Sequence, residues 1–168
     1  MDLYVKEPDG PAGSGKIGDT VYYSHRRGTS AEHPYLDVDN TSGRGMEHYY
    51  AKLETKTLYR NGTEAPNLLG EYTVKAHYYA DHDGDLDRDQ PIDWTIRWRY
   101  LAYCPDPCAN PEKDGRWKEG TQSGRLTDAN SGNAGDITHT GADWSAPVTI
   151  GYAQEPPPPA APKQANLP

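Results

Sequence analysis
Apolar and polar side chains alternate most regularly over residues 70–79, GEYTVKAHYY. Tyr72, Val74, Ala76 and Tyr78 fall on one side, and Glu71, Thr73, Lys75, His77 and Tyr79 on the other. That is the period of two expected of a strand with one buried face. His77, opposite the apolar side, reads as a cross-strand surface residue. A glycine opens the stretch and the acidic run ADHDGDLDRD follows it, so the pattern predicts a central antiparallel strand leading into a charged loop.

The same alternation places its neighbours. Leu3 and Val5 alternate with Tyr4 and Lys6, predicting a first strand that ends at the turn EPDGPAG. Val21 and Tyr23 alternate with Tyr22 and Ser24 in a second. Short strands are expected near residues 35–38 and from Glu47, where Tyr49, Ala51 and Leu53 would share a face. Asn61-Gly62 is a turn signal. PIDWTIRWRYLAYC sets Trp94, Ile96, Trp98 and Tyr100 on a core face, with Thr95, Arg97, Arg99 and Leu101 on a face that is solvated or reaches acidic loops. WSAPVTIGY gives a last strand, with Val148, Ile150 and Tyr152 together.

Two stretches lack this regularity. Residues 104–143 are rich in Pro, Gly, Asn, Asp and Ser and read as a long loop insertion, a kind of segment that is usually functional or mobile. Arg116, Trp117 and Lys118 within it form a candidate binding loop. From Gln154 the chain reads QEPPPPAAPKQANLP, an extended polyproline-type arm. The expected organisation is a domain over residues 1–153, carrying the 104–143 insertion, and an arm over 154–168. About seven or eight strands favour an all-β, antiparallel two-sheet sandwich, immunoglobulin-like or jelly-roll-like, over a barrel.

Composition agrees with a β protein and narrows its partners. The 168 residues include 13 Tyr and 4 Trp but no Phe. Tyrosine has an apolar body and a polar tip, so it can build a thin core with wet edges. The net charge is −8 and no basic patch is visible, which disfavours nucleic acid. No apolar run approaches a membrane span and no signal-peptide pattern opens the chain. The expected location is therefore a virion, after release in a host cytoplasm, or a bacterial envelope or extracellular space, after removal of an export signal.

Several clusters could carry chemistry. Asp81, Asp83, Asp85, Asp87 and Asp89 recur at every second position around Gly84. Calcium takes six to eight oxygens, and alternate aspartates in a loop can supply them. The helix–loop–helix calcium pattern fails, because Leu86 and Ile92 hold its glycine and closing-glutamate positions. Two readings stand: a calcium loop at a sheet edge, or an exposed tip kept soluble by its charge. Asp37, Asp39 and Glu47, with Asp2 approaching, form a second acidic group, for which ordinary turn capping is the simpler reading. Cys104 and Cys108 bracket Pro-Asp-Pro and are a disulfide candidate closing a very small loop. GPAGSGKI over residues 10–17 nearly matches a phosphate-binding loop, but Ile17 replaces the required hydroxyl and a β-rich run follows, so it reads as a hairpin loop. No nucleophile elbow or zinc-protease motif occurs in the chain. Tyr22, Tyr49, Tyr50, Tyr79 and Trp117 are candidates for an aromatic contact surface.

Four blocks in order, DLYVKEPDG, VYYSHRR, YLDVDNTSGRGMEHYY and GEYTVKAHYY, resemble the YfaP-like family of uncharacterised bacterial domains. The resemblance covers residues 2–81. Met46 stands where that family often has proline. The resemblance implies an immunoglobulin-like or jelly-roll-like sandwich of the kind found in envelope and surface proteins, with no catalytic residues to carry over. The expectation is a non-enzymatic structural or adhesive module displayed on a large assembly, a phage tail or capsid decoration first. Protein partners would be held partly by the C-terminal arm. The alternative is a calcium-stabilised accessory domain of an envelope or secreted protein that binds surface glycans or protein.

Overall fold
The computed structural model describes residues 1–26, 33–37, 45–51, 56–66, 69–80 and 90–159. Among these the chain is all-β, every strand pair is antiparallel, and helix is confined to one short α turn and a 3-10 turn at Ser131–Asn133. The main sheet has four strands, in the order β10 (Val148–Tyr152), β7 (Gly70–His77), β1 (Asp2–Lys6) and β2 (Thr20–Val21). Two small pairs join β3 (Tyr35–Leu36) to β4 (Tyr49–Tyr50), and β5 (Lys56–Leu58) to β6 (Glu64–Pro66). A long ribbon pairs β8 (Ile92–Tyr103) with β9 (Arg116–Leu126), and the helical turn α1 (Pro111–Asp114) lies in its connection.

The strand over residues 70–79 is central, as its alternation predicts. β7 lies between β1 and β10, with Val74 paired to Val5 on one side and to Val148 on the other. Val5, Tyr72, Val74, Ala76 and Val148 on one face of the sheet, together with Tyr78 just past it, form a single buried cluster with Trp94, Ile96 and Leu126 of the ribbon. Burying each large apolar side chain contributes about 1.5–3 kcal/mol, so the ribbon is fixed to the sheet through Trp94 and Ile96.

The span 104–143 is not the long loop its composition suggests: β9 occupies eleven of its residues. The ribbon register explains why the pattern hides it. Trp94 pairs with Gly124 and Trp98 with Gly120. A Cβ at position 120 would lie 2.2 Å from the Trp98 ring, and one at 124 would lie 2.8 Å from the Trp94 ring. The inward face of β9 therefore reads Gly, Gln, Gly, because the tryptophans of β8 fill the space its own side chains would take. No apolar alternation survives in the sequence. Arg116, Trp117 and Lys118 consequently open a strand instead of lying in a loop.

The ladder is irregular at one point. Leu101 pairs with Trp117 and Tyr103 with Arg116, so Ala102 is skipped. Its carbonyl accepts the backbone N–H of Glu155 at 2.8 Å, and this bulge fixes the start of the C-terminal arm to the ribbon.

The second predicted strand is shorter than its alternation implies: Thr20 and Val21 pair with β1, and residues 22–25 then turn back on themselves. GPAGSGKI is a turn, closed by the Gly10 N–H donating to the Lys16 carbonyl at 2.8 Å, and the next element is β2, not a helix.

Candidate functional site
The two faces of the main sheet carry different chemistry. One face is closed. Segment 143–145 continues beside the end of β7: Tyr78 N–H donates to the Asp143 carbonyl at 2.8 Å, and Ser145 N–H to the Ala76 carbonyl at 2.9 Å. Residues 130–141 then fold across that face. Here His77, expected at the surface, is fully buried because Asn130 and Trp144 of the covering segment lie on it; that segment has no periodic signature in the sequence. Trp144 stacks on the His77 ring at 4.3 Å, and Tyr4 packs against both rings. Lys75 is also buried. Its ammonium donates to the Ile137 carbonyl at 3.1 Å and to that of His139, and lies 4.8 Å over the Trp144 ring.

His77 has a defined tautomer in this setting. Its Nε2 lies 3.1 Å from the Asn130 carbonyl, which can only accept, so Nε2 carries the hydrogen. Nδ1 is then a bare lone pair, buried without a hydrogen-bond partner. Burial pushes the His77 pKa below its ordinary value, and the opposing pull of Asp143, 3.5 Å away, is the smaller effect. Burial likewise lowers the Lys75 pKa, against Asp143 and Asp136. A histidine beside a carboxylate invites a general-base reading. Full burial under Trp144 denies any substrate access to it, so this cluster is structural.

Among the described residues, the other face is open along one side. A groove of about 550 Å³ runs between residues 47–51 and β8, floored by Leu3, Val5, Tyr72, Val74, Ile150 and Tyr152. Trp98 and Tyr100 stack at 6.0 Å, and Tyr100 meets Tyr152 at 4.9 Å, giving a row of three rings. Tyr49 packs edge-on to Tyr72. Several polar tips are already engaged: Tyr49 OH donates to Glu7 Oε1 at 2.9 Å, Leu3 N–H donates to Glu47 Oε2 at 2.7 Å, and Tyr100 OH donates to the Gly151 carbonyl at 2.9 Å. Among the described residues, the Trp98 indole N–H and the Tyr152 hydroxyl have no hydrogen-bond partner. Burial, with Tyr100 adding to it, raises the Tyr152 pKa, so its phenol remains a donor at neutral pH. The groove thus offers apolar ring faces and two unused donors.

A larger, shallower depression lies over Lys6, Asp19, His25, Lys75 and Asp136. Its charges are engaged internally: Lys6 with Asp9 at 2.7 Å, His25 with Asp19 at 2.6 Å, and Asp136 with the Thr138 hydroxyl at 2.7 Å.

The residues singled out in the sequence are dispersed. Asp81, Asp83, Asp85, Asp87 and Asp89 lie outside the described residues, as does Asp39. Asp37 accepts from the His48 N–H at 3.0 Å, Glu47 binds the Leu3 backbone, and Asp2 is buried on β1. Among the described residues no group of three or more His, Cys, Asp and Glu is gathered. Cys104 and Cys108 are joined by a disulfide. Arg116 and Lys118 hold Glu155 at 3.3 and 2.7 Å, so two members of the expected binding loop serve the chain's own arm. Trp117 lies under the Arg99 guanidinium at 3.9 Å and donates its N–H to the Pro111 carbonyl. Of the aromatic surface candidates, Tyr49, Tyr50 and Trp117 line the groove. Tyr22 instead stacks on Tyr4, and Tyr79 lies by Tyr23. Sequence reasoning assigned Trp98, Tyr100 and Tyr152 to the core, where strand alternation points them. That no described residue covers them fully is a tertiary fact.

The chain matches no family model, no curated protein and no solved structure among those compared.

Proposed function
We propose that the chain is a non-enzymatic structural or adhesive module that works by holding an extended partner in the aromatic groove. The observation that carries this reading is the row of Trp98 and Tyr100 on the ribbon with Tyr152 on the main sheet, two of whose donors bond to no described residue. Exposed aromatic rings on a rigid scaffold contribute contact area at low entropic cost. The sheet and the ribbon are best taken as the two layers of a small sandwich, and the resemblance to YfaP-like domains supports the same architecture. Display on a large assembly, a phage tail or capsid decoration first and a bacterial envelope second, fits a module whose arm leaves from a fixed point.

The test is an array of extended peptides and glycans probed with the full chain. Binding is expected to follow aromatic or proline-containing peptides and to weaken at least tenfold in Trp98→Phe. An array without any bound ligand overturns the proposal. Glycan binding that strengthens with calcium would replace it with the accessory-domain alternative, in which the aspartates over residues 81–89 hold the ion.

A further inference from the structure
The chain carries an extended segment that fits its own groove but does not occupy it. Residues 156–159 are four consecutive prolines, and all four are exposed. Their base is held in place: Glu155 N–H is bonded to Ala102, Glu155 is paired with Arg116 and Lys118, and the Arg116 guanidinium donates to the Pro156 carbonyl at 3.1 Å. A proline run has no N–H to donate, presents carbonyls as its only polar groups, and is pre-set in the polyproline II form. The groove supplies the complement: flat ring faces for the pyrrolidines, and the Trp98 N–H and Tyr152 O–H, which bond to no described residue. The rings step by 6.0 and 4.9 Å, a reach comparable with one polyproline turn of about 9 Å. Aromatic grooves with a free donor are the general physical solution for reading such segments.

We infer that the groove binds the proline run of a second copy of this chain, so that copies join head to tail. The inference deepens the proposed function, on which it rests, by naming the partner. Exposure of all four prolines places the run outside its own groove, and the tether at Glu155 fixes the direction in which it leaves. The groove and the run are different surfaces, so their pairing is heterologous: each copy receives one arm and offers another, and the contact propagates. Dense display on an assembly would raise the effective concentration of arms around each groove.

Complementation tests this directly. In one variant, Trp98→Phe with Tyr152→Phe removes both donors and keeps both rings. In the other, Pro157→Ser with Pro158→Ser breaks the run and leaves the groove intact. Near-UV circular dichroism establishes that both fold. Sedimentation velocity of the full wild-type chain is expected to show concentration-dependent growth beyond a dimer. Each variant alone should associate at least tenfold more weakly, and an equal mixture of the two should form a capped one-to-one dimer. A synthetic peptide of residues 153–168 should shift the Trp98 indole resonance of the wild type and dissolve its oligomers. A strict monomer at all concentrations, a dimer that survives both variants, or an indole shift that depends on the arm but not on concentration would each overturn the inference. If the peptide fails to bind while the array yields another ligand, the proposed function stands and only the second copy is lost as partner. If both fail, both are lost.

Discussion

The closed and open faces of the central sheet use similar residues to opposite ends. On the closed face Tyr4, His77, Trp144 and Lys75 are packed together; the Lys75 ammonium and His77 Nε2 are spent on nearby carbonyls, while His77 Nδ1 and the Trp144 indole N–H are sealed in without a partner. On the open face Tyr100, Tyr152 and Trp98 are only half-buried, and two of their donors are unspent. The histidine and lysine that suggest chemistry, His77 and Lys75, are therefore buried, and the groove on the other side is mostly apolar. Residue type alone would have reversed the assignment. Accessibility, not the presence of histidine and aspartate or the count of unsatisfied groups, separates the two sites here.

The largest expected effect comes from opening the closed face. Trp144→Ala removes the ring stacked on His77 and under the Lys75 ammonium, and should cost about 3–5 kcal/mol in chemical denaturation. Truncation of a half-buried groove ring should cost less, and equal costs would erase the distinction between the faces. Next in size is an overpacking change on the ribbon that walls the groove. Gly120→Val puts a branched side chain where the Trp98 ring already lies, for about 1–3 kcal/mol, and should shift the tryptophan emission as that ring is displaced. An unchanged spectrum would show that Trp98 does not lie over the glycine.

The smallest effect is acid dependence just below neutral pH, and it reports on the closed face. His77 has a lower pKa folded than unfolded, so the unfolded chain binds more protons around and below the ordinary histidine value of about 6.5. Stability is therefore fully present above that pH and declines as pH falls through it, by at most about 1.4 kcal/mol per pH unit for one proton. Thermal melts between pH 7.5 and 5 should show this decline, and His77→Gln should flatten it. A decline of the same slope in the variant would assign it to another group.

Much of this architecture is legible in the chain itself. β1, β7, β8 and β10 follow from alternation, because each has an apolar face set against a polar one. β9 does not, since its inward positions are glycines roofed by Trp94 and Trp98, and a strand whose partner supplies the side chains leaves no period to read. The burial of His77 and Lys75 was equally hidden. Alternation assigns them to a face, but what covers that face is the irregular segment 130–145, whose contacts are backbone carbonyls. Tyr49 was recognisable as a candidate for the aromatic surface, and it lines the groove. Trp98, Tyr100 and Tyr152 were not, because position on a core-facing strand does not reveal where the opposing layer ends.

The skipped residue in the β8–β9 ladder has a consequence for how the chain can change. Ala102 is superfluous to the pairing of the ribbon, and deleting it would make the ladder regular. The deletion would also withdraw the carbonyl that Glu155 grips, leaving the C-terminal tail held to an otherwise tidier hairpin only by the side chains of Arg116 and Lys118. A shortened strand of that kind could be the sturdier fold and the poorer link between molecules.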